Sequence, residues 1–284
     1  MSVESPMGDA GASPDLVGIF ERARPRLLGL AYRMLGVMAD AEDIVQEAWL
    51  TTVTTRLALD RLRSAQRRRE RYVGPWLPEP ILVAPGPEDA ADLAESLTLG
   101  FLVLLDQLQP VERAAFLLAD VFRVPYAEIA ASLGKSEAAC RQVVSRARKR
   151  LSSAPVRRPT GEERRVLEEL VSAILRGDVE AAVARLAPDV VLVADGGADR
   201  KAARRPIVGA EKVVRLLTSL ARQLTGTVEA EFVLLNREPG LLLVIDGTVD
   251  LAVSVNLVGE RVSAIWIVRN PDKLHRLREP SLLE

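Results

Sequence analysis

The stretch that most constrains this chain runs from Pro125 to Leu151, PYAEIAASLGKSEAACRQVVSRARKRL. Ile129, Ala130 and Leu133 recur at helical spacing and stop at Gly134, a residue that tolerates the left-handed backbone of a tight turn. Ser136 follows as an N-cap whose hydroxyl accepts an orphan backbone N–H, and Glu137 sits where the positive end of the helix dipole favours an acid. Beyond them Ala139, Cys140, Val143, Val144, Ala147 and Leu151 form one apolar stripe, with Arg141, Gln142, Ser145, Arg148 and Lys149 opposite. Two short helices across a glycine turn, the second apolar inside and basic outside, predict a DNA-reading helix-turn-helix. Arg can bond guanine edges bidentately, Gln can bond adenine, and the remaining cations hold phosphates. The alternative is a helical hairpin with a merely solvated basic face. The coincidence of turn, cap, helix lengths and one-sided charge favours DNA.

Such a surface must be local, because the net charge is −1. The 284 residues suffice for at least two domains, and 48% hydrophobic content with 4% aromatics points to aliphatic cores. The single cysteine, Cys140, lies on the buried stripe; it excludes intrachain disulfides and cysteine-based metal sites and fits a reducing cytoplasm. No apolar run reaches the roughly 20 residues of a membrane span, and Met1–Pro14 lacks the charged and apolar regions of a signal peptide. A cytoplasmic chain without membrane partners is expected.

Residues 1–14, rich in Ser, Gly, Ala and Pro, read as a flexible tail. From Asp15, Leu27, Leu28, Leu30, Ala31, Met34 and Leu35 repeat at helical spacing up to Gly36. An acidic helix follows, DAEDIVQEAWL, with Asp40 as a possible cap, then TTVTTRLALDRLRSAQRRRERY with Arg56, Arg61, Arg63, Arg67 and Arg68. That second basic patch suits a phosphate backbone; a solvated helix end is the alternative. Residues 72–92 hold five prolines and no helical period, which predicts a linker. Two core helices are expected over Leu93–Val121, the second opened by Pro110, and SSAPVRRPT after Leu151 marks a boundary near residues 154–161.

GLAYRMLGVMADAEDIVQEAW resembles region 2 of the extracytoplasmic-function (ECF) sigma factors of bacterial RNA polymerase. The resemblance implies that Asp40, Asp43, Gln46 and Glu47 dock on the β′ clamp helices of core polymerase. It also implies that the following helix, with Arg56, Arg61, Arg63, Arg67 and Arg68, lies on the −10 promoter element. The helix-turn-helix resembles region 4, which reads the −35 element, so Ser136, Arg141, Gln142, Ser145, Arg148 and Lys149 fall on its DNA side. One difference from the family pattern is that QEAW runs directly into LTTVTT, without the longer segment whose loop captures a flipped −10 base. Promoter melting needs a pocket for such a base.

After residue 162 the order becomes helix, helix, strand, helix and then a run of strands (VEAEFVLLN, LLLVID, DLAVSVNLV, VSAIWIVRN), which predicts an α+β fold with a curved antiparallel sheet. It resembles the SnoaL-like (NTF2-like) cone found as a carboxy-terminal extension in the SigJ-like subgroup of these sigma factors. The implied cone spans 162–274, followed by a tail over 275–284, and commonly holds a pocket between sheet and helices. The subgroup's markers are a WLPEP linker (Trp76, Leu77, Pro78, Glu79), a DGG turn (Asp195, Gly196, Gly197) and a terminal NPDKL (Asn270, Pro271, Asp272, Lys273). These imply contacts through which the cone regulates the chain in cis.

The expected architecture is therefore multidomain: region 2 over 15–71, the Pro-rich linker over 72–92, region 4 over 93–153, and the cone. The expected partners are core RNA polymerase and promoter DNA at −35 and −10, with a small-molecule ligand in the cone's pocket as an option. A monomer is expected, needing no metal or cofactor. Two rivals stay open. One is an autonomous helix-turn-helix regulator, which leaves the acidic helix unexplained. The other is a SnoaL-like enzyme on a DNA tether, using Asp195, Asp246 or Asp250 as general base. Against catalysis, Asp195 and Asp246 each precede a Gly, as turn acids do.

Overall fold

The computed structural model describes residues 16–47, 51–69, 72–82, 98–151, 163–198 and 200–278. The expected tail over 1–14, the junction at Ala48–Leu50, most of the linker and the 154–161 boundary lie outside the described residues.

Helix α1 (Leu16–Leu35) ends where Gly36 turns the chain at φ +69°. Helices α2 (Met38–Glu47) and α3 (Thr51–Arg69) follow. Asp40 lies inside the first turn of α2 and not at its cap. The orphan N–H of Met38 is bound instead by the Glu79 carboxylate at 2.8 Å, so the linker caps this helix from 41 positions away.

Helix α4 (Leu99–Leu105) is capped by Thr98, and α5 (Pro110–Phe116) opens on its proline before passing into a π-helical turn, Leu117–Val121. Then come α6 (Tyr126–Leu133) and α7 (Glu137–Leu151), separated by Gly134 at φ 62°, ψ 39°. Leu30 and Met34 of α1, Ile44 of α2, Leu62 of α3, Leu105 of α4 and Cys140 of α7 belong to one continuous core. The helices on either side of the linker therefore share their apolar interior. Arg113, 2% exposed, ties them: its guanidinium donates to Leu105 O, to Met34 O and to the Asp106 carboxylate, each at 2.8 Å.

The second half is the α+β cone. Helices α8 (Glu163–Arg176) and α9 (Val179–Ala184) precede β1 (Leu186–Asp195), a short β2 (Ile207–Val208) and α10 (Ala210–Ala221). Strands β3 (Val228–Leu235), β4 (Glu238–Ile245), β5 (Thr248–Val258) and β6 (Arg261–Val268) form a meander. The sheet order is β2-β1-β6-β5-β4-β3, with β1 and β6 parallel and the other neighbours antiparallel. Asn270 then caps a one-turn helix, α11 (Pro271–Leu274), and a 3-10 turn (His275–Arg278) follows.

Side chains alternate across a strand, and here both faces are apolar. Leu241, Val255, Ile265 and Ile267 pack with α8 and α10. Their neighbours Leu242, Ala252, Trp266 and Val268 pack with Leu77 of the linker, Leu99 of α4 and Leu274 of α11. The outer face of the sheet is thus the seat of the helical half. At Gly100 the approach is so close that a Cβ would meet Trp266 Cη2 at 2.8 Å.

Candidate functional site

The helix-turn-helix carries its predicted face. Cys140, Val143, Val144, Ala147 and Leu151 are buried, while Arg141, Gln142, Ser145, Arg148 and Lys149 are exposed. Ser136 Oγ accepts from Ala139 N at 3.2 Å. Two of the cations are held by acids of the same module. Arg141 bonds Glu137 at 2.7 Å and lies over the Tyr126 ring, and Arg148 forks onto both oxygens of Asp120 at 2.5 and 2.8 Å. The fork raises the Arg148 pKa further above its ordinary value. Each arginine side chain is still 57% exposed, so both remain presented to a ligand.

On α2 and α3 the acidic and basic candidates meet each other. Arg61 donates to Asp40 at 2.7 Å and to Asp43 at 3.5 Å. Arg63 pairs with Asp60 at 3.0 Å, and Gln46 is exposed. Arg56 caps the carboxyl end of α6, donating to Ala131 O at 2.9 Å and Ser132 O at 3.2 Å, where the helix dipole favours a cation. Helix α3 therefore touches the helix-turn-helix directly. The side chains of Glu47, Arg67 and Arg68 lie outside the described part.

The linker, the DGG turn and NPDKL come together in one buried polar cluster. Asp195, 0% exposed, accepts from Lys273 Nζ at 2.6 Å, Tyr72 OH at 2.6 Å, Leu77 N at 2.9 Å and Gly197 N at 3.0 Å. Lys273 also donates to Leu77 O and lies 4.3 Å from the Trp76 ring centre. Asn270 donates to Tyr72 OH at 2.7 Å. Pro78 and Glu79 are buried, whereas Pro271 and Asp272 are exposed, Asp272 giving its N–H to Asn270. The residue pattern that reads Asp195 as a turn acid gives only part of its setting. Asp195 does precede a Gly turn, but the linker backbone closes over it and Lys273 balances its charge, since an isolated charge could not be buried there.

Farther along, the linker is clasped from both sides. Glu79 N donates to Gly36 O at 2.8 Å, Tyr32 OH donates to Glu79 O at 2.5 Å, and Asn236 Nδ2 donates to Tyr32 OH at 2.9 Å. Ile81 exchanges bonds with Asn236, its N–H to Oδ1 at 3.3 Å and its carbonyl to the Asn236 N–H at 2.8 Å. Burial pushes the Glu79 carboxyl pKa up, opposed by the Met38 N–H and by Arg276, His275 and Lys273. Sequence reasoning missed Tyr32, Tyr72 and Asn236. Tyr72 had a signal, heading the YVGPW segment, whereas Tyr32 and Asn236 look like ordinary helix and turn residues. It also missed Arg276, which bonds Glu42 of the acidic helix at 2.8 Å.

The other two candidate bases are also engaged: Asp246 accepts from Thr227 N at 2.9 Å, and Asp250 pairs with Arg269 at 2.8 Å. The space between sheet and helices is filled by Val166, Leu170, Val213, Leu241 and Ile265. A groove of about 860 Å³ does exist, but it runs between α9 and α10 and is lined by residues such as Val179, Val183, Arg215 and Thr218, with no strand residue. Among the described residues no group of three or more His, Cys, Asp or Glu is placed to hold a metal, and no helix is long and apolar enough to cross a membrane.

Two family descriptions match, Sigma-70 region 2 over residues 19–50 and Sigma-70, region 4 over 99–151. The chain is 39% identical over 288 residues to the ECF RNA polymerase sigma factor SigJ of Mycobacterium tuberculosis, covering 90% of this chain and 92% of that protein. It is 28% identical over 277 residues to a probable ECF RNA polymerase sigma factor, SigI, of the same species, covering 90% and 93%. The crystal structure of the SigJ protein superposes with a TM-score of 0.73 at 35% identity, covering 90% of this chain and 97% of that one. With the acidic helix, the helix-turn-helix and the cone each in place, the chain belongs to the ECF RNA polymerase sigma factors.

Proposed function

We propose that this sigma factor is controlled in cis: the cone clamps the linker and holds the −10-side and −35-side helices against each other, and promoter engagement requires that clamp to open. The observation carrying the reading is the Asp195 cluster, in which the cone binds the linker backbone at Leu77 N and Leu77 O. Geometry adds to it. Promoter elements at −10 and −35 are separated by roughly two and a half duplex turns, on the order of 80 Å. Here Arg56 of α3 reaches Ala131 of α6 at 2.9 Å, so the two surfaces cannot lie on both elements in this arrangement.

In the open form Asp40, Asp43, Gln46 and Glu47 face the β′ clamp helices of core polymerase. Arg56, Arg61, Arg63, Arg67 and Arg68 face the −10 region, and Ser136, Arg141, Gln142, Ser145, Arg148 and Lys149 face the −35 groove. In the closed form Arg61 and Arg276 occupy acids of α2. The engagement of Asp195, Asp246 and Asp250 supports a regulatory cone over a catalytic one. We assign a monomer acting in the cytoplasm, with the α9–α10 groove as the place for any small-molecule effector.

Run-off transcription by core polymerase with the full chain tests this reading, using a promoter selected from genomic fragments. Trp76→Ala and Asp195→Asn should change promoter-dependent transcript yield and its salt profile relative to the parent. Unaltered yield and salt profile in both variants would sink the cis-control reading.

A further inference from the structure

The segment between β1 and β2 is more basic than a connection of its length needs to be. Within six residues it carries Arg200, Lys201, Arg204 and Arg205, all exposed. Arg200 lies 3.6 Å from Asp250, which is already bonded to Arg269. Lys201, Arg204 and Arg205 have no acid within ion-pair distance among the described residues.

This loop is anchored. Arg200 N donates to Gly196 O at 3.2 Å, and Arg269 donates to Lys201 O at 3.1 Å. A Cβ on Gly196 would meet Arg200 O at 2.3 Å and Ala202 Cβ at 2.8 Å, so the loop is folded tightly over the DGG turn. Its far end lies beside the linker, where a Cβ on Gly74 would stand 3.6 Å from Arg204 Cα. Tyr72, bonded to Asp195, follows the last residue of α3 by three positions, a span of at most about 10 Å. The basic end of α3 and the basic loop of the cone are therefore adjacent through three residues of chain and the Tyr72–Asp195 hydrogen bond. They stay adjacent when the −35 module moves and the Leu77 contacts open, as long as Tyr72 remains on Asp195.

We propose that loop 200–205 of the cone is a phosphate-binding surface for promoter DNA, extending the basic strip of α3 beyond the −10 side. This rests on the placement of α3 at the −10 element. The ligand chemistry is the duplex backbone: flexible cations on an exposed loop suit phosphates and carry no base-reading geometry. In this reading the cone both restrains the sigma modules and, once polymerase is bound, adds non-specific grip.

The test uses full-length protein assembled with core polymerase, comparing the parent with Lys201→Gln/Arg204→Gln/Arg205→Gln and with the charge-conserving Arg204→Lys/Arg205→Lys. Each is titrated over a range of salt against a promoter duplex and an equally long duplex with scrambled −10 and −35 sequences. At about 0.9 in slope per phosphate contact, loss of three contacts flattens the dependence of log K on log salt by about 2 to 3, or about 40-fold over a fourfold salt range. The flattening should be the same on both duplexes and absent in the charge-conserving variant. An unchanged slope overturns the proposal, and so does a loss confined to assembly with core polymerase, which would make the loop a protein contact. Parent holoenzyme showing no preference for the promoter duplex would instead overturn the reading of the helical modules, while the slope still reports on the loop.

Discussion

Lys273→Met keeps the length of the side chain and its packing beside Trp76 and Tyr72 but removes the ammonium that Asp195 holds at 2.6 Å. The two side chains are 8% and 0% exposed. At that separation and an effective dielectric constant of about 20, their attraction is about 6 kcal/mol. Desolvation offsets most of it, since each buried ion costs several kcal/mol. The intact pair therefore adds little net stability, yet removing one partner strands a buried charge and costs about 3–5 kcal/mol. Tyr72 OH, Leu77 N and Gly197 N remain on Asp195, which places Lys273→Met near the lower end of that range. Asp195→Asn should cost a similar amount. The double variant should be less destabilised than the sum of the two, by more than about 1 kcal/mol, because neither charge is then left alone. Urea denaturation of the four proteins measures the cycle, and amide exchange at Leu77 reports whether linker and cone separate together. Additivity within about 0.5 kcal/mol, or a Leu77 amide equally protected in all four, would refute the cluster as a coupled latch.

Arg276→Ala removes the 2.8 Å bond to Glu42 and should strengthen binding to core polymerase in a titration, if that contact competes for the acidic helix. Arg141→Ala should cost roughly 1–3 kcal/mol on the selected promoter and relax preference at one base, whereas Lys149→Ala should weaken all sequences alike; footprinting on a mutated-promoter series separates the two. Glu238 is pushed up to about 8 by burial and by Glu163. A carboxyl raised in the folded state binds more protons there than in the unfolded chain, so its contribution is favourable at low pH and is lost as pH rises from about 4.5 towards 8. Glu238→Gln should therefore raise stability near pH 7 by roughly 1–3 kcal/mol and flatten that pH dependence in thermal melts. Gly100→Ala drives a Cβ to 2.8 Å from the Trp266 ring and should lower the melting temperature by loosening α4 from the sheet.

Much of the helix-turn-helix half was legible because its signals are local. Gly134 ends a helix through its own backbone freedom, Ser136 caps through its own hydroxyl, and the Arg141–Lys149 face follows from helical period alone. Pro110 opened its helix for the same reason. Asp40 misled because the cap of α2 comes from Glu79, and nothing within ten residues of Met38 announces it. For Asp195 the Gly after it announced only the turn, while its burial depends on Lys273 and Tyr72, 78 and 123 positions away. One available signal went unused. LLLVI and AIWIV are apolar at every position, where a sheet with one wet face alternates.

The sequence by itself determined which elements form and which surfaces are basic, acidic or apolar, since period, caps and turn residues act over a few positions of chain. The subgroup markers WLPEP, DGG and NPDKL also pointed to a contact between linker and cone. Only the tertiary structure decided how that contact is built. It placed a single carboxylate at the centre of the cluster and let the outer sheet face seat the helical half. It also closed Arg56 onto the helix-turn-helix and Arg276 onto the acidic helix. The reason is physical: a buried charge is tolerated only where partners from distant segments converge, and convergence is a property of packing, not of neighbouring residues.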